Sequence, residues 1–445
     1  MSKQMKSTSM SRRTFMAGLG AASAAPFIIP STALGADGSV APSEKVNIGL
    51  IGCGGQGNGV MGAAMGQKNT VVTALCDVNE NNLRNTKKKV DERYGNEDCR
   101  TFADFREVCA LDDLDAIIIG TPDHWHALIA IEAANNKKDI YCEKPLTWSL
   151  GEGRAVVEAV KRNNVILQVG SMQRSSSQMK EACELVKNGA IGKINHVIVG
   201  LPDGGHAKWV MEYPEPPSYL DYDMYVGPAE WAPYHPERLD WNWRWWMGFG
   251  GSQMMDWIGH HGDIANMAMD WSETGPEEIV PEIWEFSKEK NNLYNSPERY
   301  RTSYTYKGGV TMTMGSTNTL DEVFTKNGDN GTQWFGEDGK WIFVSRSGMN
   351  LSDKDIRKDR GGKNRFRFRK EGNHVKDWLN SIQSREAPIA PVEAGHRAAS
   401  IGHLAKIAHT VGTTLQWDPV KESFVGNEAL DGLLTRKYRG EWKLG

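Results

Sequence analysis

Three residues in this chain have the types needed to draw a proton from a hydroxyl: Lys144, Asp256 and His260. Lys144 sits in Glu143-Lys144-Pro145, directly after the short apolar run Ile140-Tyr141-Cys142. Asp256 and His260 are four positions apart in a stretch, Gln253 to Met269, that reads as a helix, and that spacing puts both side chains on one face. An alcohol proton is too weakly acidic to leave unaided. A lysine against the hydroxyl oxygen stabilises the negative charge that develops there. An imidazole takes the proton, and a carboxylate beside it orients the ring and raises its basicity. Positioned general-base catalysis of this kind contributes roughly 10²–10⁴ in rate. Whether Lys144 itself serves as the base stays open at this point. His261, about 100° further round a helix than His260, is a further substrate-binding candidate, and Asp263 is a candidate support for His260.

The elements around these residues form a nucleotide-binding unit. Lys45 to Ile51 (KVNIGLI) reads as a strand, and Gly52-Cys53-Gly54-Gly55-Gln56-Gly57 follows it, fitting G-x-G-x-x-G. Gly52 permits the tight turn, Gly54 lets backbone approach a pyrophosphate, and Gly57 lets the next helix pack closely on the strand. The helix then offers free N–H groups to phosphates, and Gln56 counts with this set. Asp77 ends a second strand, Val71 to Cys76, and lies 20 residues past Gly57, where a carboxylate binds ribose hydroxyls. A carboxylate there repels a 2′-phosphate, so NAD is expected rather than NADP.

The alternation continues through a strand at Ala116 to Gly120, a helix at Ala127 to Asn136, and a strand at Asp139 to Cys142. Ser149-x-x-Glu152 reads as a capping box opening a helix to Lys161, and Val165 to Val169 closes the set. Strands alternating with helices predict a parallel sheet covered on both faces. Ligands bind such sheets at the carboxyl edge. Thr121-Pro122-Asp123-His124-Trp125-His126 lies at that edge, so Thr121, Pro122, His124 and His126 join Glu143 and Lys144 as cofactor-binding candidates.

A chain of 445 residues is too long for one small core, and its formal charge of −4 gives no reason to expect nucleic acid as a partner. The six cysteines (Cys53, Cys76, Cys99, Cys109, Cys142, Cys183) include no C-x-x-C pair and read as buried small residues rather than a disulfide frame. Ser11-Arg12-Arg13-Thr14-Phe15-Met16 precedes a mild apolar run to Ile29 and the small residues Ala33-Leu34-Gly35. Residues 1–36 thus read as a twin-arginine export signal, with the export machinery as partner and a periplasmic or otherwise exported location. Outside the cytoplasm there is no free cofactor pool, so the cofactor is expected to be tightly held. Residues 37–172 are assigned to the nucleotide-binding domain and 173–445 to a second domain that binds substrate.

The second domain concentrates aromatic residues. Trp241, Trp243, Trp245 and Trp246, with Arg244 among them, follow Trp209 and Trp231. Most of these read as core aromatics. Indole faces pack on the C–H faces of sugar rings, however, alternation at 241, 243 and 245 suggests one extended face, and one or two are candidates to line a carbohydrate pocket. Trp243 is therefore a substrate-binding candidate, with Arg174 after the last parallel strand and His206 and Lys208 in a glycine-rich loop. The donors Asp256, His260, His261 and Asp263 cannot all converge from one helix, so no metal is expected.

Assembled, four blocks resemble the Gfo/Idh/MocA family, named for glucose–fructose oxidoreductase and inositol dehydrogenase: Gly52 to Gly57 with Asp77, Thr121-Pro122 through His126, Glu143-Lys144-Pro145, and Asp256 with His260. The likeness extends to Gly395-His396-Arg397 and Trp417-Asp418-Pro419. It implies a Rossmann domain followed by a large, mostly antiparallel open sheet, built here from strands at Ile194–Leu201, Ile279–Phe286, Arg301–Tyr306, Val310–Gly315, Thr332–Phe335, Lys340–Val344 and Asn364–Phe368. It also implies homo-oligomers, dimer or tetramer, through that sheet. The expected activity is hydride transfer between a secondary hydroxyl of a sugar, glycoside or cyclic polyol and a nicotinamide cofactor. Two alternatives stay open. One is redox-neutral glycoside chemistry that uses NAD transiently. The other is a non-catalytic carbohydrate-binding protein.

Overall fold

The computed structural model describes residues 44–205, 212–289, 291–320, 324, 330–358 and 365–444. The first half is a six-stranded, wholly parallel sheet: β1 (Val46–Ile51), β2 (Thr70–Cys76), β3 (Arg100–Phe102), β4 (Ala116–Ile119), β5 (Asp139–Cys142) and β6 (Leu167–Val169). Their order is β3-β2-β1-β4-β5-β6. Every residue of β4 and β5 is buried, as a sheet covered on both faces requires. The order reverses between β1 and β4, which opens a crevice at their carboxyl ends. Gly52, Asp77, Thr121 and Glu143-Lys144 each follow the end of a strand on that edge.

Helices cross between the strands: α1 (Gly55–Met65), α2 (Glu80–Tyr94), α3 (Phe105–Cys109), α4 (Asp123–Asn135) and α5 (Leu150–Asn163). The capping box expected at Ser149 is present: Glu152 N–H donates to the Ser149 hydroxyl and Ser149 N–H to the Glu152 carboxylate. α4 begins four residues earlier than its apolar run suggested, because Pro122 fits the N-cap and brings Asp123 into the first turn. All six cysteines are buried thiols.

The second half is a nine-stranded sheet ordered β13-β12-β11-β7-β10-β9-β8-β14-β15. Its strands are β7 (His196–Leu201), β8 (Glu278–Glu285), β9 (Arg299–Thr305), β10 (Thr311–Ser316), β11 (Gly331–Phe335), β12 (Trp341–Val344), β13 (Met349–Leu351), β14 (Leu415–Asp418) and β15 (Ser423–Phe424). Only β7 and β10 run parallel; the other pairs are antiparallel. Met312, Met314 and Tyr304 of this sheet share a core with Ile264, Leu404 and Ala405 of the helices α8 (Asp263–Met269) and α9 (Val392–Val411). The strand expected around 364–368 does not form at residues 365–368, and residue 364 lies outside the described residues. The backbone amides of Phe366 and Phe368 donate instead to the Asn188 and Glu184 side chains at the end of α6 (Ser177–Lys187).

The helix expected from Gln253 to Met269 is broken into α7 (Ser252–Trp257), a π turn (Ile258–Gly262) and α8. The π turn carries His260 and His261. Turns of this type recur at functional sites. Gly259 within it lets the chain meet Lys144: a Cβ there would lie 3.0 Å from the Lys144 Cβ.

Candidate active site

A cleft of about 900 Å³ runs from the glycine turn along the carboxyl edge of the parallel sheet to Asp256 and His260. The turn has the form that a dinucleotide needs. Gly52 has φ +92°, and a Cβ on it would sit 2.6 Å from the Gly120 carbonyl carbon. A Cβ on Gly57 would sit 2.1 Å from the Gly52 oxygen, so α1 packs on β1 only through glycine. Gly54 and Gly55 face open space, leaving their backbone free to approach a phosphate. Asp77 accepts from the Cys53 N–H at 2.7 Å and the Asn79 N–H at 2.8 Å, one bond to each oxygen. Burial pushes its carboxyl up to about 6 against those two bonds. Each oxygen keeps a lone pair for a ribose hydroxyl. These residues fit a dinucleotide.

Gln56 and Glu143 form a brace between the first and fifth strands: Gln56 Nε2 donates to Glu143 Oε1 at 2.8 Å. Thr121 and Pro122 line the cleft beside them. The second domain roofs this groove. Glu80 N–H donates to the Tyr219 oxygen at 2.9 Å and Asp221 N–H to the Val78 oxygen at 3.0 Å, pinning the segment just past Asp77. Leu220, Met224 and Tyr225 then line the groove. The C-terminal tail holds the far end of the segment, where Arg439 donates to the Gly227 oxygen at 2.9 Å and pairs with Asp223 at 2.8 Å.

At the other end, Lys144 Nζ donates to Asp256 Oδ1 at 2.6 Å and to its backbone oxygen at 3.1 Å. Arg244 Nε donates to the same Oδ1 at 2.9 Å. The three side chains are only 10%, 7% and 12% exposed. Burial opposes the Asp256 charge, but Lys144 and Arg244 outweigh it and hold the carboxyl well below the usual range. Lys144 and Asp256 thus meet as the sequence suggested, whereas the Asp256–His260 partnership does not form. Both cations compete for the carboxylate. His260 lies in the cleft wall with Nδ1 buried and without a partner, its edge toward Trp257. Burial, then Lys144 and Arg346, push its pKa well below the ordinary imidazole value, against the pull of Asp256.

Five other candidates stand away from the cleft. His124 and His126 are fully buried beneath it. His124 bridges the Phe249 and Tyr225 oxygens at 3.1 and 2.9 Å, and His126 bridges those of Pro145 and Thr121 at 2.8 and 2.9 Å. Burial lowers them to about 3 and about 4, although those carbonyls favour the cations. They brace loops rather than reach a ligand. Arg174 pairs through two nitrogens with Asp263, at 2.6 and 2.7 Å, and both are buried. This pair removes Arg174 from substrate binding and Asp263 from supporting His260. His261 turns to Asn330 at 2.7 Å and stacks on Trp257. The π turn sends the two adjacent histidines apart. His206, Lys208 and Trp209 lie outside the described residues, as do residues 1–36.

The tryptophans do not form one face. A 3-10 turn over Asn242–Trp245 separates them: Trp241 is 60% exposed, Trp245 is buried against Tyr294, and Trp246 packs on Arg238. Trp243 does line the cleft, with Trp241. Two members of the site escaped the sequence reading. In sequence Arg244 is only a neighbour of the tryptophans, and nothing in its spacing points to Asp256 as its partner. Asp123 follows Thr121-Pro122 at the strand end, and that position was its signal. It is 4% exposed in the cleft wall. Burial, with Lys144 and Arg244 opposing, raises its carboxyl well above the usual range and favours its protonated form.

Comparison with known proteins agrees with this architecture. A model described as "Oxidoreductase family, NAD-binding Rossmann fold" matches residues 46–171, and one described as "Oxidoreductase family, C-terminal alpha/beta domain" matches 175–343 and 362–444. The chain is 45% identical over 87 residues to the scyllo-inositol 2-dehydrogenase (NAD(+)) of Bacillus subtilis (strain 168), covering 20% of this chain and 25% of that protein. It is 34% identical over 159 residues to the inositol 2-dehydrogenase of Rubrobacter xylanophilus, covering 34% and 42%. The chain spans less than half of the length of the curated relatives it matches. In fold it is similar to the WlbA dehydrogenase of Bordetella pertussis, solved in complex with NADH and UDP-GlcNAcA, with a TM-score of 0.61 and 17% identity over 84% of this chain and 98% of that one. The two models together match most of the chain, which belongs to the Gfo/Idh/MocA oxidoreductase family, with an NAD-binding Rossmann domain followed by the family's C-terminal α/β domain.

Proposed function

We propose that this protein oxidises a secondary hydroxyl of a sugar, glycoside or cyclic polyol. The observation that carries this is the meeting of Lys144, Asp256 and His260 at one end of the cleft whose other end is the glycine turn and Asp77. A nicotinamide dinucleotide, when bound, supplies the hydride acceptor. Gly52, Gly54 and Gly57 shape its phosphate site, and Asp77 selects NAD by repelling a 2′-phosphate. Lys144, held by Asp256, donates to the hydroxyl oxygen and stabilises charge developing there. His260 takes the hydroxyl proton. Trp241 and Trp243 offer apolar faces to a ring. The inositol dehydrogenases among the relatives support a polyol or sugar substrate.

The cofactor is retained between turnovers on this reading. The roof at Tyr219–Asp221 crosses the groove, and Arg12-Arg13 in the leader suits export of a folded, loaded protein. Retention also favours a second reading, redox-neutral glycoside chemistry, in which no cofactor is consumed.

One experiment separates these readings. The purified protein should carry dinucleotide through gel filtration. A panel of mono- and disaccharides and inositols should then produce NADH absorbance if oxidation is net, or free sugar without absorbance change if the chemistry is redox-neutral. Lys144→Met should abolish either outcome; unchanged turnover removes the assignment.

A further inference from the structure

Arg244 stands outside the lysine–aspartate–histidine set, yet it makes closer contact with Asp256 than His260 does. A tryptophan pair delivers it. Its guanidinium lies 4.0 Å from the Trp241 ring and 4.5 Å from the Trp243 ring, and Nη1 donates to the Trp241 oxygen at 3.1 Å. Stacking and that bond fix the plane of the fork. Among the described residues, Nη2 has no protein partner, and neither does Asp256 Oδ2, because Lys144 and Arg244 both take Oδ1. Neither atom is sealed from solvent, and both residues line the cleft. A donor and an acceptor therefore stand side by side, next to the lysine that faces the reacting hydroxyl.

A single hydroxyl cannot satisfy this arrangement. The lysine and His260 take one oxygen. The open Asp256 Oδ2 and Arg244 Nη2 are matched by a second hydroxyl, which donates to the first and accepts from the other. Because the Arg244 charge is already spent on Asp256, the pair suits a neutral hydroxyl better than a carboxylate. A carboxylate would face Oδ2.

Resting on the reading of this site as a sugar or polyol oxidoreductase, we infer that Arg244 is a specificity-determining residue: with Asp256 it binds the hydroxyl on the carbon next to the one oxidised, so that the substrate is a ring with a vicinal diol, its C–H face against Trp241 or Trp243. No group is transferred at this second position; it only binds.

The test uses the holoenzyme with methyl glucopyranosides, methyl galactopyranosides and myo-inositol, and with the 2-, 3- and 4-deoxy analogues of whichever glycoside is oxidised. Wild-type kcat/KM should fall about 10- to 100-fold for the deoxy analogue that lacks the neighbouring hydroxyl while retaining the oxidised one, as expected for losing a hydrogen bond to charged partners. In Arg244→Gln that preference should shrink toward parity, and Arg244→Lys should restore part of it. A purely structural Arg244 would lower both substrates in parallel and leave their ratio unchanged. A wild-type enzyme that oxidises intact and deoxy sugars equally, or a preference unchanged in Arg244→Gln, overturns the inference and leaves the oxidoreductase reading standing. If none of the intact compounds reduces or exchanges with the held cofactor, the reading itself fails and takes the inference with it. The wild-type comparison needs no variant, so misfolding of Arg244→Gln cannot hide the answer.

Discussion

Asp256→Asn is the most revealing single change, because one carboxylate serves two cations. Lys144 and Arg244 converge on the same oxygen at 2.6 and 2.9 Å. Removing either cation leaves Asp256 paired with the other. Removing the carboxylate leaves two buried cations facing a neutral amide. An unpaired buried charge costs about 3–5 kcal/mol. Lys144 and Arg244 keep 10% and 12% exposure toward the cleft. Water can reach them there, so about 2–3 kcal/mol is expected for Asp256→Asn, against about 1 kcal/mol for Lys144→Met or Arg244→Gln. The folded unit from Val46 to Gly445 has about 400 residues. Its unfolding entropy is then roughly 0.8 kcal/mol/K. Asp256→Asn should lower the melting temperature by about 2.5–4 °C at pH 7, and each cation variant by about 1 °C. Calorimetry on protein stripped of dinucleotide avoids stabilisation by bound ligand. The pH dependence has a definite sign. Asp256 is held below its unfolded value of about 3.9, so its contribution is complete above that pH and is lost as pH falls toward the folded value. The gap between wild type and Asp256→Asn should be constant from pH 7 to 5 and narrow only below about pH 4. Equal melting of Asp256→Asn and Lys144→Met at pH 7 would refute the shared-carboxylate reasoning.

Gly57→Ala places a Cβ 2.1 Å from the Gly52 oxygen. It should cost stability and strip dinucleotide from the purified protein, read by melting temperature and by bound absorbance. Arg174→Lys breaks the two-pronged contact with buried Asp263. It should lower stability by about 2–4 kcal/mol without moving KM, and a changed KM would return Arg174 to the substrate site. Dinucleotide affinity, measured by fluorescence titration, should rise as pH increases through about 6, where Asp77 ionises. An Asp77→Asn protein should lose that dependence. The acid limb of kcat in the loaded enzyme should lie below the ordinary histidine value of about 6.5, because burial and neighbouring cations depress His260; a limb at or above that value assigns proton transfer to another group.

The parallel half of the fold was legible because each of its signals is local. The G-x-G-x-x-G turn, the buried four-residue strands and the Ser149 capping box each depend on a few neighbouring residues. The antiparallel half rested on family likeness, and its error near residue 366 came from tertiary competition: side chains of α6 took backbone amides that an extended run would offer to a strand. In the site, positions at strand ends were readable, so Asp77, Thr121 and Lys144 reach the cleft. Side-chain directions were not. His124 and His126 begin a helix whose start turns them inward, onto the oxygens of Phe249, Tyr225, Pro145 and Thr121. The π turn altered the direction of His261 in a way that a regular helical spacing cannot express. The charge partners were hidden for the same reason, since Arg174–Asp263 and Arg244–Asp256 are pairings fixed only by packing.

The protonation states at the substrate end leave one group to receive a proton. Lys144 gives two of its three hydrogens to Asp256, where its ammonium is needed, and keeps the third for the hydroxyl oxygen. Asp256 is held ionised by two cations, so it is a weak base despite its open oxygen. Burial outweighs Lys144 and Arg244 at Asp123 and favours the protonated form of its carboxyl. His260 is neutral, and its Nε2 has no protein partner among the described residues. For Nε2 to accept, the ring hydrogen must sit on Nδ1, which is buried without an acceptor. The imidazolium is costly because burial disfavours its charge and Lys144 and Arg346 repel it. Such a base does not store the proton; it passes it on. Asp256 helps here only at a distance, through its charge, and the contact that would have made His260 strongly basic is the one that Lys144 and Arg244 have taken.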